Sequence, residues 1–438
     1  MKILHITAHL GGGIGRAYSG ITRESERFGC SHEIILLERA EKSFFVERVK
    51  ENGCAVYVEP SLQEIAKIMR NADIVQINWW HHPLMAKFLY EFPNVPVRLV
   101  GWVHVSGCTY PHLRADFLRK FEQIFFTTSY SYENAEVADW VNGDGKNKTS
   151  IIYGMGDASR FFNITKEPHS GFRIGYLGTL EFSKLHPAFV EYCASAAKVA
   201  DDIKFVMIGD NSNKEKILNQ ADQYNIADRF EFRGFCEDVG EELSRLDCVG
   251  YLLNPYHFGA TENVILETMA AGVPVILMNQ NTEKYIVENN KSGFLIYNSD
   301  EYRAVVELLY RDQNERNRIA QNARDRIKTN YSIEANTKKL YSFYDNITQC
   351  DKRIVTFCDI FGESPSDWFL YFVGQERAIF NEKFHENKLD KLPEIFKGES
   401  KSSIKHFAKY FTEDEKLMTW LGCLDTLSNG LTNYRMMK

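Results

Sequence analysis

After its first apolar run the chain reads HLGGGIGRAYSGI, with Gly11, Gly12, Gly13 and Gly15 ahead of Arg16, Tyr18 and Ile21. Glycines let a backbone approach a ligand closely, and exposed amides at a helix N-terminus favour anions. Gly12, Gly13 and Arg16 are therefore candidates to meet a phosphate, while a plain strand-to-helix turn would have the same composition. A dinucleotide fingerprint is excluded: GxGxxG begun at Gly11 needs glycine where Arg16 stands, and begun at Gly13 needs it where Tyr18 stands. His104 lies near the end of the apolar run VRLVGWVHVSG, the part of a parallel sheet that faces a ligand. A core histidine satisfied by its neighbours would look the same locally. His81 and His82 are expected at the surface or in a wall.

In the second half, GYLGTLEFSKLHP ends a strand and supplies Lys184 shortly after Gly178 and Thr179. A flexible ammonium there can reach a phosphate, although an exposed lysine before a helix is commonplace. The stretch FGATENVILETMAAGVPVI opens a helix at Thr261 or Glu262, carries Glu267 on its first turns and ends at Gly272. Thr261 is expected to cap this helix, leaving the amides of Glu262, Asn263 and Val264 as an anion cradle. Carboxylates beside such a cradle would repel phosphate, so Glu262 and Glu267 are expected to address sugar hydroxyls.

The elements that must position these residues alternate β-branched apolar runs with helix-period stretches, the pattern of a parallel sheet wrapped by helices. Strands are expected at 2–7, 33–37, 55–59, 74–79, 97–105, 124–128 and 151–153, then at 173–177, 204–208, 229–233, 249–253 and 273–277. KEPHSG at 166–171 reads as a linker. The expected domains are a Rossmann-like domain at 1–165, a second Rossmann-like domain at 172–348, and a helical extension at 351–438. Two such sheets leave a cleft faced by their strands' carboxyl ends. In the extension, Thr412 and Glu415 form a capping box, Leu417, Leu421 and Leu424 share one face, and Asn429-Gly430 is the expected stop.

The composition, 44% hydrophobic and 25% charged, is that of an ordinary globular protein, and no run approaches the roughly 20 apolar residues of a spanning helix. Neither a leader pattern nor a sustained basic amphipathic face is evident, so a cytoplasmic location with at most peripheral membrane contact is expected. The net charge of −7 argues against a nucleic-acid partner. The 9 cysteines are scattered, without CxxC pairs or zinc spacing, and are expected to be reduced thiols.

The segments FGATENVILETMAAGVPVI, LGTLEFSKLHP and FRGF at 232–235 resemble the retaining GT-B glycosyltransferases of sequence family 4, over roughly residues 1–348. That resemblance implies two Rossmann-like domains facing across a cleft, 1–165 on the acceptor side and 172–348 binding the nucleotide sugar. It implies a sugar transferred with retention from a nucleoside diphosphate donor, a UDP-sugar being expected, to an acceptor hydroxyl in glycan, glycolipid or natural-product synthesis. By the same resemblance Glu267 grips the ribose, Lys184 and the amides after Thr261 hold the diphosphate, the backbone near Phe235 meets the base, and His104 lies against the transferred sugar. No metal or other cofactor is expected. Two departures stand out: Gly259 occupies the place of the family's first glutamate, and Glu262 occupies a place that is commonly glycine. Thr179 also replaces a frequent arginine, which Arg16 could offset. A nucleotide-sugar epimerase or phosphorylase on the same scaffold, or a non-catalytic GT-B partner subunit, are the alternatives.

Overall fold

The computed structural model describes all residues except 155–157, 237, 258, 381–391, 399–400 and 437–438, and only the backbone at 394 and 426–436. The chain divides into two compact units: Met1–Gly154 with Thr337–Lys438 and the short stretch 258–260, and Met155–His257 with Thr261–Asn336.

In the first unit, β1 (Lys2–Thr7), β2 (Ser31–Leu36), β3 (Ala55–Val58), β4 (Ile74–Trp79), β5 (Leu99–Val103), β6 (Gln123–Phe126) and β7 (Thr149–Ile151) form one parallel sheet. Its order is β3-β2-β1-β4-β5-β6-β7. Every residue of β4 and β5 is buried, as covering a parallel sheet on both faces requires. The second unit repeats the plan with β8 (Phe172–Leu177), β9 (Ile203–Ile208), β10 (Phe230–Gly234), β11 (Cys248–Tyr251), β12 (Val275–Met278) and β13 (Phe294–Ile296), in the order β10-β9-β8-β11-β12-β13. β13 escapes a sequence reading because three residues are too few to display an alternation. The strand order reverses between β1 and β4 and again between β8 and β11. In open α/β sheets such a reversal is where the loops diverge and a ligand crevice forms.

The chain enters the second unit before the expected linker. Lys166 of KEPHSG is built into that unit, donating to the carbonyls of Leu243 at 3.2 Å and Leu246 at 2.6 Å. The polar segment looks solvated, and Lys166 is itself exposed, yet its ammonium is tied to these two carbonyls. The return comes earlier than residue 348, within the helix Ile333–Ile347, between Asn336 and Thr337. A buried polar network fixes this point. Tyr344 Oη donates to Gln76 Oε1 at 2.5 Å, Gln76 Nε2 to Tyr18 Oη at 2.9 Å, and Tyr18 Oη to Asn78 Oδ1 at 2.5 Å. Gln76 and Asn78 alternate onto one face of β4, and buried groups of this kind must find partners or cost stability.

The extension belongs to the first unit's core. Phe369, Phe372 and Phe407 are wholly buried, with ring centroids 4.7 Å apart between Trp79 and Phe372 and 4.8 Å apart between His81 and Phe407. His81 and His82 are therefore interior, each 1% exposed, and not surface residues. The final helix, Glu415–Met436, is capped by Asp414, whose carboxylate accepts from the Leu417 amide at 3.0 Å, and not by Thr412. It continues through Asn429 and Gly430, since an interior glycine costs about 1 kcal/mol without terminating a helix. Its buried face is Leu417, Trp420 and Leu424, with Leu421 only half-buried.

Candidate functional site

At the β8/β11 reversal the loops following the two strands are laced together. Leu185 bridges Leu253, the His186 amide donates to Leu252 O at 3.0 Å, and the Asn254 amide donates to Lys184 O at 2.7 Å. This fixes the Lys184 backbone over Tyr251, whose ring centroid lies 5.6 Å from the ammonium. Lys184 Nζ is 3.3 Å from Glu262 Oε2, and Tyr251 Oη donates to that same oxygen at 3.0 Å. The Glu262 side chain is 7% exposed. Burial works to raise its pKa, but Lys184, His257 and Tyr251 outweigh burial and hold it below the usual carboxylate range. For Lys184, burial is outweighed in turn by Glu262, and its pKa is raised.

The helix carrying Glu267 begins at Asn263, with Glu262 at the cap position making no side-chain cap bond, so Thr261 is not the cap residue. Glu262 stands at φ 40°, ψ 69°, in the left-handed region that costs a non-glycine residue about 1–2 kcal/mol. Such a conformation persists where surrounding contacts over-determine it, and Tyr251 and Lys184 are those contacts. It also explains why a glycine suits the same place. Glu262 is thus no solvated complement to a helix dipole. Glu267 is buried at 7% exposure, Thr179 is exposed with its carbonyl accepting from Tyr176 Oη at 3.1 Å, and Phe235, just past β10, is 72% exposed. Asn263 and Val264 are half-buried on the first helical turn.

Beside these lies a pair that composition does not reveal. His257 Nε2 is 3.1 Å from Glu283 Oε1, at 5% and 0% exposure of the two side chains. Burial acts to lower the His257 pKa, Glu283 more than reverses this, and Glu262 adds to the rise. The only sequence signal for the pair is the polarity of these two residues within otherwise apolar neighbourhoods.

Residues 157–326 match the family model described as glycosyl transferases group 1. That match covers less than half of the chain and describes this segment alone. The chain is similar over 181 residues, at 25% identity, to the capsular polysaccharide biosynthesis glycosyltransferase CapM of Staphylococcus aureus, covering 40% of this chain and 47% of CapM. It is similar at 25% identity over 175 residues to the alpha-D-kanosaminyltransferase of Streptomyces kanamyceticus, covering 39% of this chain and 45% of that one. The chain thus spans less than half the length of these curated relatives. Among solved structures, HepE of Anabaena in complex with UDP has the same fold, with TM-score 0.63 at 17% identity over 79% of this chain and all of HepE. The matched segment accordingly lies in one of two α/β units of GT-B type.

The other expected residues belong to the first unit. Gly12 and Gly13 are exposed at the start of the helix Gly12–Arg23, Gly12 at φ +56°, and Arg16 is half-buried on its second turn. Gly15 is needed for packing, since a Cβ there would lie 2.7 Å from the Phe45 ring. His104 follows β5, its amide bonded to Trp79 O at 2.9 Å and its ring 4.8 Å from that of Trp102. His104 Nε2 is buried without a hydrogen-bond partner, and burial holds the imidazole neutral, with its pKa down at about 3.

Proposed function

We propose that the chain transfers a sugar from a nucleoside diphosphate donor, a UDP-sugar, to an acceptor hydroxyl with retention of anomeric configuration, in glycan, glycolipid or natural-product synthesis. The observation that carries this reading is the Lys184–Glu262–Tyr251 cluster at the β8/β11 reversal, within the segment that matches the group 1 model. The complex of HepE with UDP supports the choice of base. In this reading Lys184, with the amides of Glu262, Asn263 and Val264, stabilises the charge that builds on the departing diphosphate, work of the kind that preorganised donors do most effectively. Arg16, Gly12 and Gly13 are assigned to a phosphate in the same reading. Glu267 binds the ribose, Phe235 and Thr179 border the nucleotide, and Glu262 turns its free oxygen toward a sugar hydroxyl, taking the part that Gly259 cannot play. His104, held neutral, offers a hydrogen bond to the transferred sugar and no formal charge. The acceptor hydroxyl yields its proton to the leaving phosphate, so no protein nucleophile and no metal is assigned a step.

No helix among the described residues is long and apolar enough to cross a membrane. A cytoplasmic location, reduced thiols, no nucleic-acid partner and at most peripheral membrane contact complete the proposal. The test is a thermal-shift panel of nucleotide sugars, because a ligand that binds only the folded state raises its apparent stability by mass action. A UDP-sugar should give the largest shift. A panel in which no nucleotide sugar shifts the transition would refute the reading. Conversion of the donor sugar itself, with acceptor absent, would favour an epimerase.

A further inference from the structure

At the β1/β4 reversal of the first unit, the extension delivers Lys401, His406 and Tyr410 onto His9, Glu38, Trp80 and His82. Glu38 is met by His82 Nε2 at 3.2 Å and accepts a hydrogen bond from Tyr410 Oη, and His9 Nε2 stands 3.8 Å away, beyond hydrogen-bond reach. His9, Glu38 and His82 have the ligand types of a metal centre. Their hydrogen bonds rule against one. His9 Nδ1 accepts the Gly11 amide at 2.9 Å and His82 Nδ1 accepts the Leu84 amide at 3.1 Å. A neutral imidazole that accepts at Nδ1 carries its proton on Nε2. Both rings therefore turn N–H groups, not lone pairs, toward the cluster.

The same reasoning leaves an electrostatic mismatch at Lys401. Its Nζ is 3.3 Å from His9 Nε2, so an ammonium and an N–H donor face each other with no acceptor between them. Among the described residues no carboxylate lies within ion-pair distance of Lys401; Glu38 and Glu41 act on it only from farther away. A third donor lies alongside. Trp80 is 8% exposed and its Nε1–H is buried without a hydrogen-bond partner. The Lys401 ammonium is 5.3 Å from the centre of that indole, and the His9 and His406 rings border it at 5.3 Å and 6.4 Å. The Trp80 N–H is a buried donor without an acceptor, which is costly, and an oxyanion reaching it would also complement the exposed Lys401 ammonium and the half-buried His9 N–H.

We propose that His9, Trp80 and Lys401 form a subsite for an oxyanion, a phosphate or a carboxylate carried by the acceptor, so that the extension supplies part of the acceptor site. This rests on the reading of the first unit as the acceptor side. The test follows the imidazole signals of the full chain by NMR at neutral pH while inorganic phosphate, or acetate in a parallel arm, is added. His9→Asn assigns the His9 signal. Phosphate or acetate should shift it in the unsubstituted protein and in Lys184→Met, with affinity at least tenfold weaker in Lys401→Met and retained in Lys401→Arg. The arm that shifts the signal identifies the anion. A shift that is absent in both arms, or that disappears with Lys184→Met and not with Lys401→Met, overturns the subsite, as does a zinc ion bound at His9 and His82. Anion binding here is read without any donor, so failure of sugar transfer would count against the proposed reaction and leave this subsite standing.

Discussion

Glu262 Oε2 is shared: it accepts from Tyr251 Oη at 3.0 Å and lies 3.3 Å from Lys184 Nζ. An arriving diphosphate would compete with this carboxylate for the same ammonium. Glycine removes both the competitor and the backbone strain at φ 40°, worth about 1–2 kcal/mol, while stranding the Tyr251 hydroxyl at a cost of about 1–3 kcal/mol. Glu262→Gly is therefore expected to fold with nearly unchanged stability, to bind free UDP as tightly as before or better, and to turn over the intact donor more slowly. Glu267→Ala should instead weaken UDP and UDP-sugar alike, by about 1.5–3 kcal/mol. Calorimetry with both ligands separates the two, and unimpaired turnover in Glu262→Gly would remove that residue from the site.

Turnover is expected to survive chelation, because the charge on the leaving diphosphate is assigned to Lys184 and backbone amides. The measurement is the initial rate with and without EDTA. Loss of rate that magnesium or manganese restores would contradict the mechanism.

The extension cannot be removed as a spare part. Phe372 packs its ring against Trp79, 4.7 Å away, and against Phe117, 5.3 Å away, in the first unit's core. Phe372→Ala should lower stability by about 3–5 kcal/mol, and deleting residues 351–438 should leave the first unit without a closed core. UDP affinity of Phe372→Ala, measured where the protein remains folded, is expected to be unchanged. A variant of full stability would show that these aromatics are only peripheral.

Acid should destabilise the protein in a way traceable to His81. Burial holds its folded-state pKa at about 3, below the ordinary value of 6.5. Between those values the unfolded chain binds a proton that the folded chain refuses, so this contribution to stability is complete above 6.5 and declines as pH falls toward 3. One proton corresponds to about 1.4 kcal/mol per pH unit. His81→Phe should flatten the stability profile by up to that slope between about pH 4 and 6, in urea titrations at several pH values. Parallel profiles for the two proteins would mean that His81 titrates freely.

The repeated parallel sheet was legible because buried strands such as β4 and β5 write their burial as unbroken apolar runs. Lys184 could be nominated as a candidate because it lies in the loop after β8, whereas the setting of Glu262 could not be read. A left-handed backbone and a buried ion pair depend on Tyr251 and on the loop that carries Lys184, and neither distance in sequence nor residue type discloses them. The same holds for His9 and Lys401, which lie at opposite ends of the chain, and for Tyr344 and Gln76, whose pairing returns the chain to its first unit before residue 348. Lys166 misled because a lysine in a polar hexapeptide looks solvated, and its two carbonyl partners come from residues far along the chain.

The return of the chain at Thr337 also sets an order on synthesis. The first sheet is emitted early, yet Tyr344, Phe372 and Phe407, which cover it, emerge only after the whole of the second unit. At about 5–20 residues per second, a ribosome would hold strands β4 and β5 without their final cover for many seconds, while residues 155–336 can already close on themselves. The usual order of domain folding is thereby inverted. The later unit is the first able to finish, and the nascent N-terminal sheet is the part most exposed to chaperone capture.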